Sequence, residues 1–178
     1  MELTFFKDFD FTNFWSECSY SSKDYIEDFP DDEIIAEVEN KLGYQLPGSY
    51  IELMRLQNGG LVNKSCFATT ESVSWAEDHV AITGIMAIGK GKKYSLCGEL
   101  GSQFMIDEWG YPSDGIYICD CPSAGHDMIL LDYSACGKNG EPEVVHVDQE
   151  NNFKKTFLAK DFETFIRGLR QEEEFEIG

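Results

Sequence analysis

The groups that could do chemistry in this chain are three histidines set among many carboxylates. His126-Asp127, with Asp132 further along, is the grouping closest to a metal or acid–base site, because imidazole and carboxylate bind divalent ions and exchange protons near neutral pH. The ligand set is incomplete, and no pair of histidines has helical spacing. The simpler reading is a hydrogen-bonded turn, Gly125-His126-Asp127, feeding a strand, with Asp127 accepting backbone N–H groups. His146 and Asp148 alternate along Glu143–Asp148, which puts both on one strand face and Val145 and Val147 on the other. No motif sets a serine or cysteine nucleophile beside them, so they read as the polar outer face of a half-buried sheet. Gly89-Lys90-Gly91-Lys92-Lys93 has the composition of a phosphate loop without its spacing, and reads as a basic turn. These residues therefore assign no catalytic group, no metal and no cofactor.

Binding is the better-supported class. Asp107-Glu108-Trp109-Gly110-Tyr111-Pro112, followed by Asp114, combines acids with two large aromatics beside turn residues. Aromatic anchors ringed by charge are the composition of binding hot spots. Trp75-Ala76-Glu77-Asp78 is a second patch of the same kind. The expected partner surface is thus Trp75, Glu77, Asp78, Asp107, Glu108, Trp109, Tyr111 and Asp114. The competing reading places Trp109 and Tyr111 in the core and leaves the acids merely solvated.

Charge points the same way. Fourteen basic and 33 acidic side chains give a formal net charge of −19. Nucleic acid and anionic membranes need basic footprints, so direct binding to either is disfavoured. A basic protein partner is favoured, with electrostatic steering of its approach. The six cysteines read as free thiols, mostly buried as small hydrophobes, since a cytoplasmic chain with a real core needs no staples. The acidic, aromatic start lacks the basic and apolar regions of a secretory signal. No apolar run approaches the roughly 20 residues that cross a bilayer.

The elements that must position these groups follow from periodicity. Ile34, Ile35, Val38 and Leu42 share one helical face, and Gly43 stops that helix. Pro47 restarts a second helix, whose Tyr50, Leu53, Met54 and Gln57 share a face; Asn58-Gly59-Gly60 ends it. Upstream, residues 1–30 read as two short helices, near Thr12–Ser16 and Lys23–Phe29. Downstream, strands are expected at Cys66–Thr70, Ala81–Ile85, Gly115–Cys119, Asp127–Tyr133 and Glu143–Asp148. Asn139-Gly140 joins the last two as an antiparallel hairpin. A C-terminal helix starts near Leu158–Asp161, with Phe162, Phe165, Ile166 and Leu169 as its stripe, and 171–178 is a frayed tail. Helices, a run of strands and a helix make an α+β fold with an antiparallel or mixed sheet.

The punctuation of Val38–Gly60, with Leu42-Gly43, Leu46-Pro47, Tyr50 and Asn58-Gly59-Gly60, resembles the SUKH superfamily. Within it, the chain is similar to the branch named after a yeast regulator of cell-wall glucan synthesis. Further matching elements occur in order: Phe11-Thr12-Asn13-Phe14-Trp15, Ser74–His79, Asp107–Pro112, Gly125–Asp127, Leu131–Tyr133, Gly140–Pro142 and Phe162–Leu169. The resemblance implies one SUKH-like domain over 1–178, with 1–30 as a family-typical N-terminal segment. For bacterial members it implies a non-enzymatic, cytoplasmic immunity protein that neutralises a basic toxin, often a nuclease. The yeast-like alternative is a regulatory scaffold that binds signalling and wall-synthesis partners.

Overall fold

The helical punctuation of the sequence is realised closely. The computed structural model describes residues 1–175. After α1 (Ser19–Asp24) come α2 (Asp32–Leu42) and α3 (Gly48–Leu56). Asp31 caps α2 through the Ile34 N–H, and Gly43 ends it at φ 83°, in the left-handed region where a side chain would be strained. Ile35 and Val38 are buried, and Ile34 and Leu42 pack on the core's edge. In α3, Tyr50, Leu53 and Met54 are fully buried, while Gln57 is only half-buried.

The strands are β1 (Gly60–Leu61), β2 (Cys66–Ala68), β3 (His79–Ala81), β4 (Gly84–Ile85), β5 (Gly115–Asp120), β6 (Asp127–Asp132), β7 (Glu143–Asp148) and β8 (Lys154–Ala159). Two more helices, α4 (Ser102–Trp109) and α5 (Phe162–Gly168), interrupt and close the series. Among the described residues, six strands form one antiparallel sheet ordered β1-β4-β5-β6-β7-β8, and β2 pairs with β3 apart from it. The central strands β5 and β6 are buried along almost their whole length. The α3 and α5 helices pack together, with the Tyr50 ring 4.8 Å from Phe162, and the Tyr50 hydroxyl donates to the Met86 carbonyl.

Three sequence expectations are corrected. No helix forms at Thr12–Ser16: Asn13 takes φ 58°, and Trp15 bridges to Val62. The aromatics that mimic helical spacing there pack instead ring to ring, with Phe9–Phe11 centroids 4.7 Å apart and Phe14–Trp15 4.8 Å apart. The next helix lies earlier than Lys23–Phe29, because the Cys18 sulfur caps it at the Ser21 N–H and Tyr25 turns inward. Residues 102–109, given no element by periodicity, form α4, so Asp107, Glu108 and Trp109 stand at a helix end. Residues 154–159 are a strand ahead of the C-terminal helix, which Asp161 caps at the Thr164 N–H. That strand hides in the sequence because it is a lysine-bearing sheet edge with Phe157 exposed.

Of the segment 171–178, Glu172–Glu174 form a 3₁₀ turn closed by a capping box from Gln171, and Phe175 stacks on His79; residues 176–178 lie outside the described ones.

The N-terminal segment is tied down by one side chain. Glu52, buried on α3, accepts the backbone N–H groups of Thr4, Phe5 and Phe6 at 2.6, 2.9 and 2.9 Å. Glu52→Gln points an amide donor at one of these donors. We expect a loss of about 2 kcal/mol in denaturant unfolding and earlier proteolysis within the first residues; unchanged values would show that the three bonds do not hold the segment.

The glycine-rich turn at residues 89–91 also has an occupant. The Glu27 carboxylate accepts the Gly91 N–H at 3.1 Å and the Ser95 hydroxyl at 2.6 Å. A Cβ on Gly89 would lie 1.7 Å from Glu27 Oε2, so glycine is required by close approach. This turn cradles an anion from its own chain.

Candidate functional site

The β5–β6 loop, residues 121–126, brings together three of the eight predicted surface residues, Trp75, Trp109 and Tyr111. Its backbone is unusual: Ala124 sits at φ 58° and Gly125 at φ 96°. A non-glycine residue in the left-handed region marks a loop held by its surroundings. Three contacts hold it. The Tyr111 hydroxyl donates to the Gly125 carbonyl at 2.6 Å. The Trp109 ring packs against Gly125, where a Cβ would come within 3.1 Å of it. The Gln149 N–H donates to the His126 carbonyl at 3.0 Å.

The loop presents His126. Its ring meets Trp109 edge-to-face at 5.5 Å, and its Nδ1 lies 2.5 Å from Glu150 Oε1 and 3.1 Å from Gln149 Oε1. Trp75 and His126 together border a cavity of about 100 Å³. The two tryptophans singled out in separate stretches of sequence therefore flank one histidine. Trp75 is 40% exposed and Trp109 is half-buried.

The other predicted surface residues are distributed unevenly. Glu77, Asp78, Asp107 and Glu108 are exposed. Asp78 lies 2.8 Å from His79 Nδ1, and Asp107 accepts from Gln103 one turn earlier on α4. Tyr111 is 2% exposed; its ring is core, and only its hydroxyl works on the loop. Burial pushes the Tyr111 hydroxyl well above its ordinary range, so it stays a donor. Asp114 is engaged elsewhere, paired with Lys155 at 2.7 Å.

Beneath the loop the carboxylates and histidines take places that the sequence reading missed. His126, Asp127 and Asp132 do not converge, because Asp127 and Asp132 stand at opposite ends of β6 and, by alternation, on opposite faces. Asp132 accepts from Ser134 and Lys155. These hydrogen bonds and the lysine charge outweigh its partial burial and hold its carboxyl below the usual range. Asp127 accepts no backbone N–H there; instead it accepts the Ser123 hydroxyl and lies 2.7 Å from His146 Nε2.

His146 and Asp148 are not on an outer face. They are 0% and 2% exposed. The register sets Asp127 directly opposite Asp148 and Ile129 opposite His146, so these four share a face. The segment around Ser74 covers that face, with its N–H donated to Asp148 Oδ2 at 2.9 Å. Among the described residues, His146 Nδ1 and Asp148 Oδ1 are buried without hydrogen-bond partners. The position of Asn139-Gly140 does not reveal this pairing: counting back from a two-residue turn there sets Asp127 against Asn152, whereas the wide connection between Asp132 and Glu143 sets it against Asp148.

This arrangement offers negative charge rather than a nucleophile. The Ser123 proton is directed to a carboxylate and not to an imidazole, so the serine is not activated in the manner of a hydrolase. All six cysteines are unpaired; Cys66, Cys119 and Cys121 are buried, and burial pushes their thiols up, toward the neutral form. Among the described residues no group of three or more His, Cys, Asp or Glu side chains is arranged to hold a metal ion, and no helix is long and apolar enough to cross a membrane.

A second cavity of about 220 Å³ is lined by Tyr94, Phe104, Met105, Trp109 and Met128, with Asp120 among its polar edges. Asp120 accepts the Tyr25 hydroxyl at 2.7 Å through Oδ2, while Oδ1 is buried without a partner among the described residues. Burial pushes its carboxyl up to about 7, against the smaller opposing effect of the Tyr25 bond.

A family model described as SMI1-KNR4 cell-wall matches residues 32–166, from the first residue of α2 into α5. No curated protein matches the chain.

Proposed function

This chain belongs to the SMI1-KNR4 family of the SUKH superfamily, and from that premise we propose that it is an immunity-type binding protein that neutralises a basic toxin domain by covering its surface. The observation that carries the reading is the cluster formed by Trp75, His126 and Trp109 on a chain of net charge −19. Two aromatic anchors around one polar group provide a contact centre. Glu77, Asp78, Asp107 and Glu108 supply exposed charge on the segments that carry the tryptophans. Such charge repels nucleic acid but pairs with a cationic surface built to hold it, which makes a nuclease the favoured toxin class.

The test is co-expression with the toxin domain encoded beside this gene. The intact chain is expected to rescue growth and to bind that domain in a manner that weakens with salt. Trp75→Ala and Trp109→Ala should each weaken binding by about 10- to 30-fold, the size of a hot-spot truncation. Absence of both rescue and binding overturns the proposal. The word cell-wall in the family description supports the alternative, a scaffold for wall-synthesis regulators. That reading predicts capture of such regulators and no toxin gene alongside.

A further inference from the structure

The 100 Å³ cavity beside Trp75 has a floor that the contacts within the chain do not explain. Asp148 lines it. This carboxylate is 2% exposed; one oxygen accepts the Ser74 N–H, and the other is buried with no partner among the described residues. Asp127, directly opposite in the sheet, is the other carboxylate at the floor, but it is already engaged by His146 and Ser123. Glu150 stands at the rim against His126. Lys154, paired with Asp148 across the sheet, is turned to Glu71 at 3.4 Å. A buried carboxylate oxygen with neither donor nor cation is costly, so a site built around one is built to receive something.

We propose that this cavity receives the ammonium end of a lysine side chain from the protein partner. Three features select that ligand. A single carboxylate oxygen lacks a donor among the described residues, which suits a point charge better than the two-pronged guanidinium of arginine. The volume is a few water-sized units, enough for an ammonium and two or three methylene groups. One wall is the Trp75 indole, which attracts an organic cation and packs on its stem. The ion enters as a whole side chain, its stem against Trp75 and its charge on Asp148. In this way a reading that rests on the binding-module proposal acquires a specific anchor: the partner's lysine, flanked by the exposed acids.

The cavity can be tested without the partner. n-Butylammonium is titrated into the full chain at constant ionic strength, and the Ser74 amide and Trp75 indole signals are followed by NMR. Saturable shifts with a Kd of about 1–10 mM are expected, the range open to so small a ligand. n-Butanol, of equal size and uncharged, should produce none. Asp148→Asn should weaken the amine at least about tenfold, and Trp75→Ala about threefold, in protein that keeps the wild-type amide spectrum. Equal shifts with butanol, or sodium and magnesium saturating the same signals ahead of the amine, overturn the proposal. So does unchanged amine affinity in Asp148→Asn; if that variant does not fold, the amine-against-butanol comparison and Trp75→Ala decide. Loss of amine binding with rescue intact removes the lysine anchor alone. Amine binding without rescue removes the immunity reading alone.

Discussion

Asp120→Asn is expected to remove the share of the fall in stability between about pH 4 and pH 7 that comes from the Asp120 carboxyl. The carboxyl ends β5 beside Met128, with one oxygen on the Tyr25 hydroxyl and the other buried unpartnered. Burial raises it from 3.8 to about 7 in the folded chain. The sign follows from proton uptake. Below about pH 4 the group is protonated in both states and costs nothing. As pH rises toward 7, the unfolded chain ionises first while the folded chain retains its proton, so unfolding becomes easier. Above about pH 7 both states are ionised and the penalty is constant. At 1.36 kcal/mol per pH unit the full difference is about 4 kcal/mol, an upper value that water entry along the adjoining cavity reduces. Asparagine keeps an oxygen for the Tyr25 hydroxyl and cannot ionise. Repulsion among the many other carboxylates also weakens the fold as pH rises, but it is common to both proteins. The measurement is urea unfolding of both proteins across this range. The variant should gain on the wild type from pH 4 to 7 and hold its gain above. A constant difference at all pH values would mean that Asp120 is not a strained acid.

What the sequence disclosed depended on whether a signal was local. Gly43, Pro47 and the Tyr50–Leu53–Met54 spacing declare two helices because each acts within a few residues of itself. The strands β5 and β6 were legible because they are buried on both faces and read as apolar runs, and β7 because its valines alternate with polar residues. By contrast, β8 has lysines and an exposed Phe157, and α4 contains no capping side chain and ends inside the acidic stretch beside turn residues. Residues 9–15 carried a false helical period because aromatics pack together at many spacings. The site divides along the same line. Trp75 and Trp109 were visible as residue types, but their meeting at His126 depends on the β5–β6 loop and on α4, both distant in sequence from Trp75. His146 and Asp148 were assigned to solvent because alternation separates two faces without saying which is covered. The Ser74 segment covers theirs, and nothing within β7 announces it.

That covered face yields the other large effect. His146→Ala is expected to cost about 3–5 kcal/mol, well beyond the loss of one side chain's packing. The register explains the size: Asp127 and Asp148 face each other across β6 and β7 in a buried site. His146, diagonal to the pair, is the group within hydrogen-bond distance of Asp127 Oδ2, at 2.7 Å. Remove the imidazole and Asp127 keeps the Ser123 hydroxyl and the weak Cys121 thiol while it faces a second carboxylate. The cost is then mostly the stranded Asp127, so removing its charge as well should recover much of the loss. Asp127→Asn alone is expected to cost about 1–2 kcal/mol, since it weakens one charge-assisted bond. The double variant should be more stable than the sum of the two losses by at least about 1 kcal/mol, the signature of direct coupling. The same cycle reaches the surface, because Ser123 bonds Asp127 at the start of the loop that carries Gly125 and His126. In His146→Ala the Trp109 and His126 ring signals should broaden or shift together, whereas a purely local cavity would leave them in place. Additive losses with undisturbed ring signals would separate the buried pair from the loop and leave Tyr111 and Trp109 as the groups that hold it.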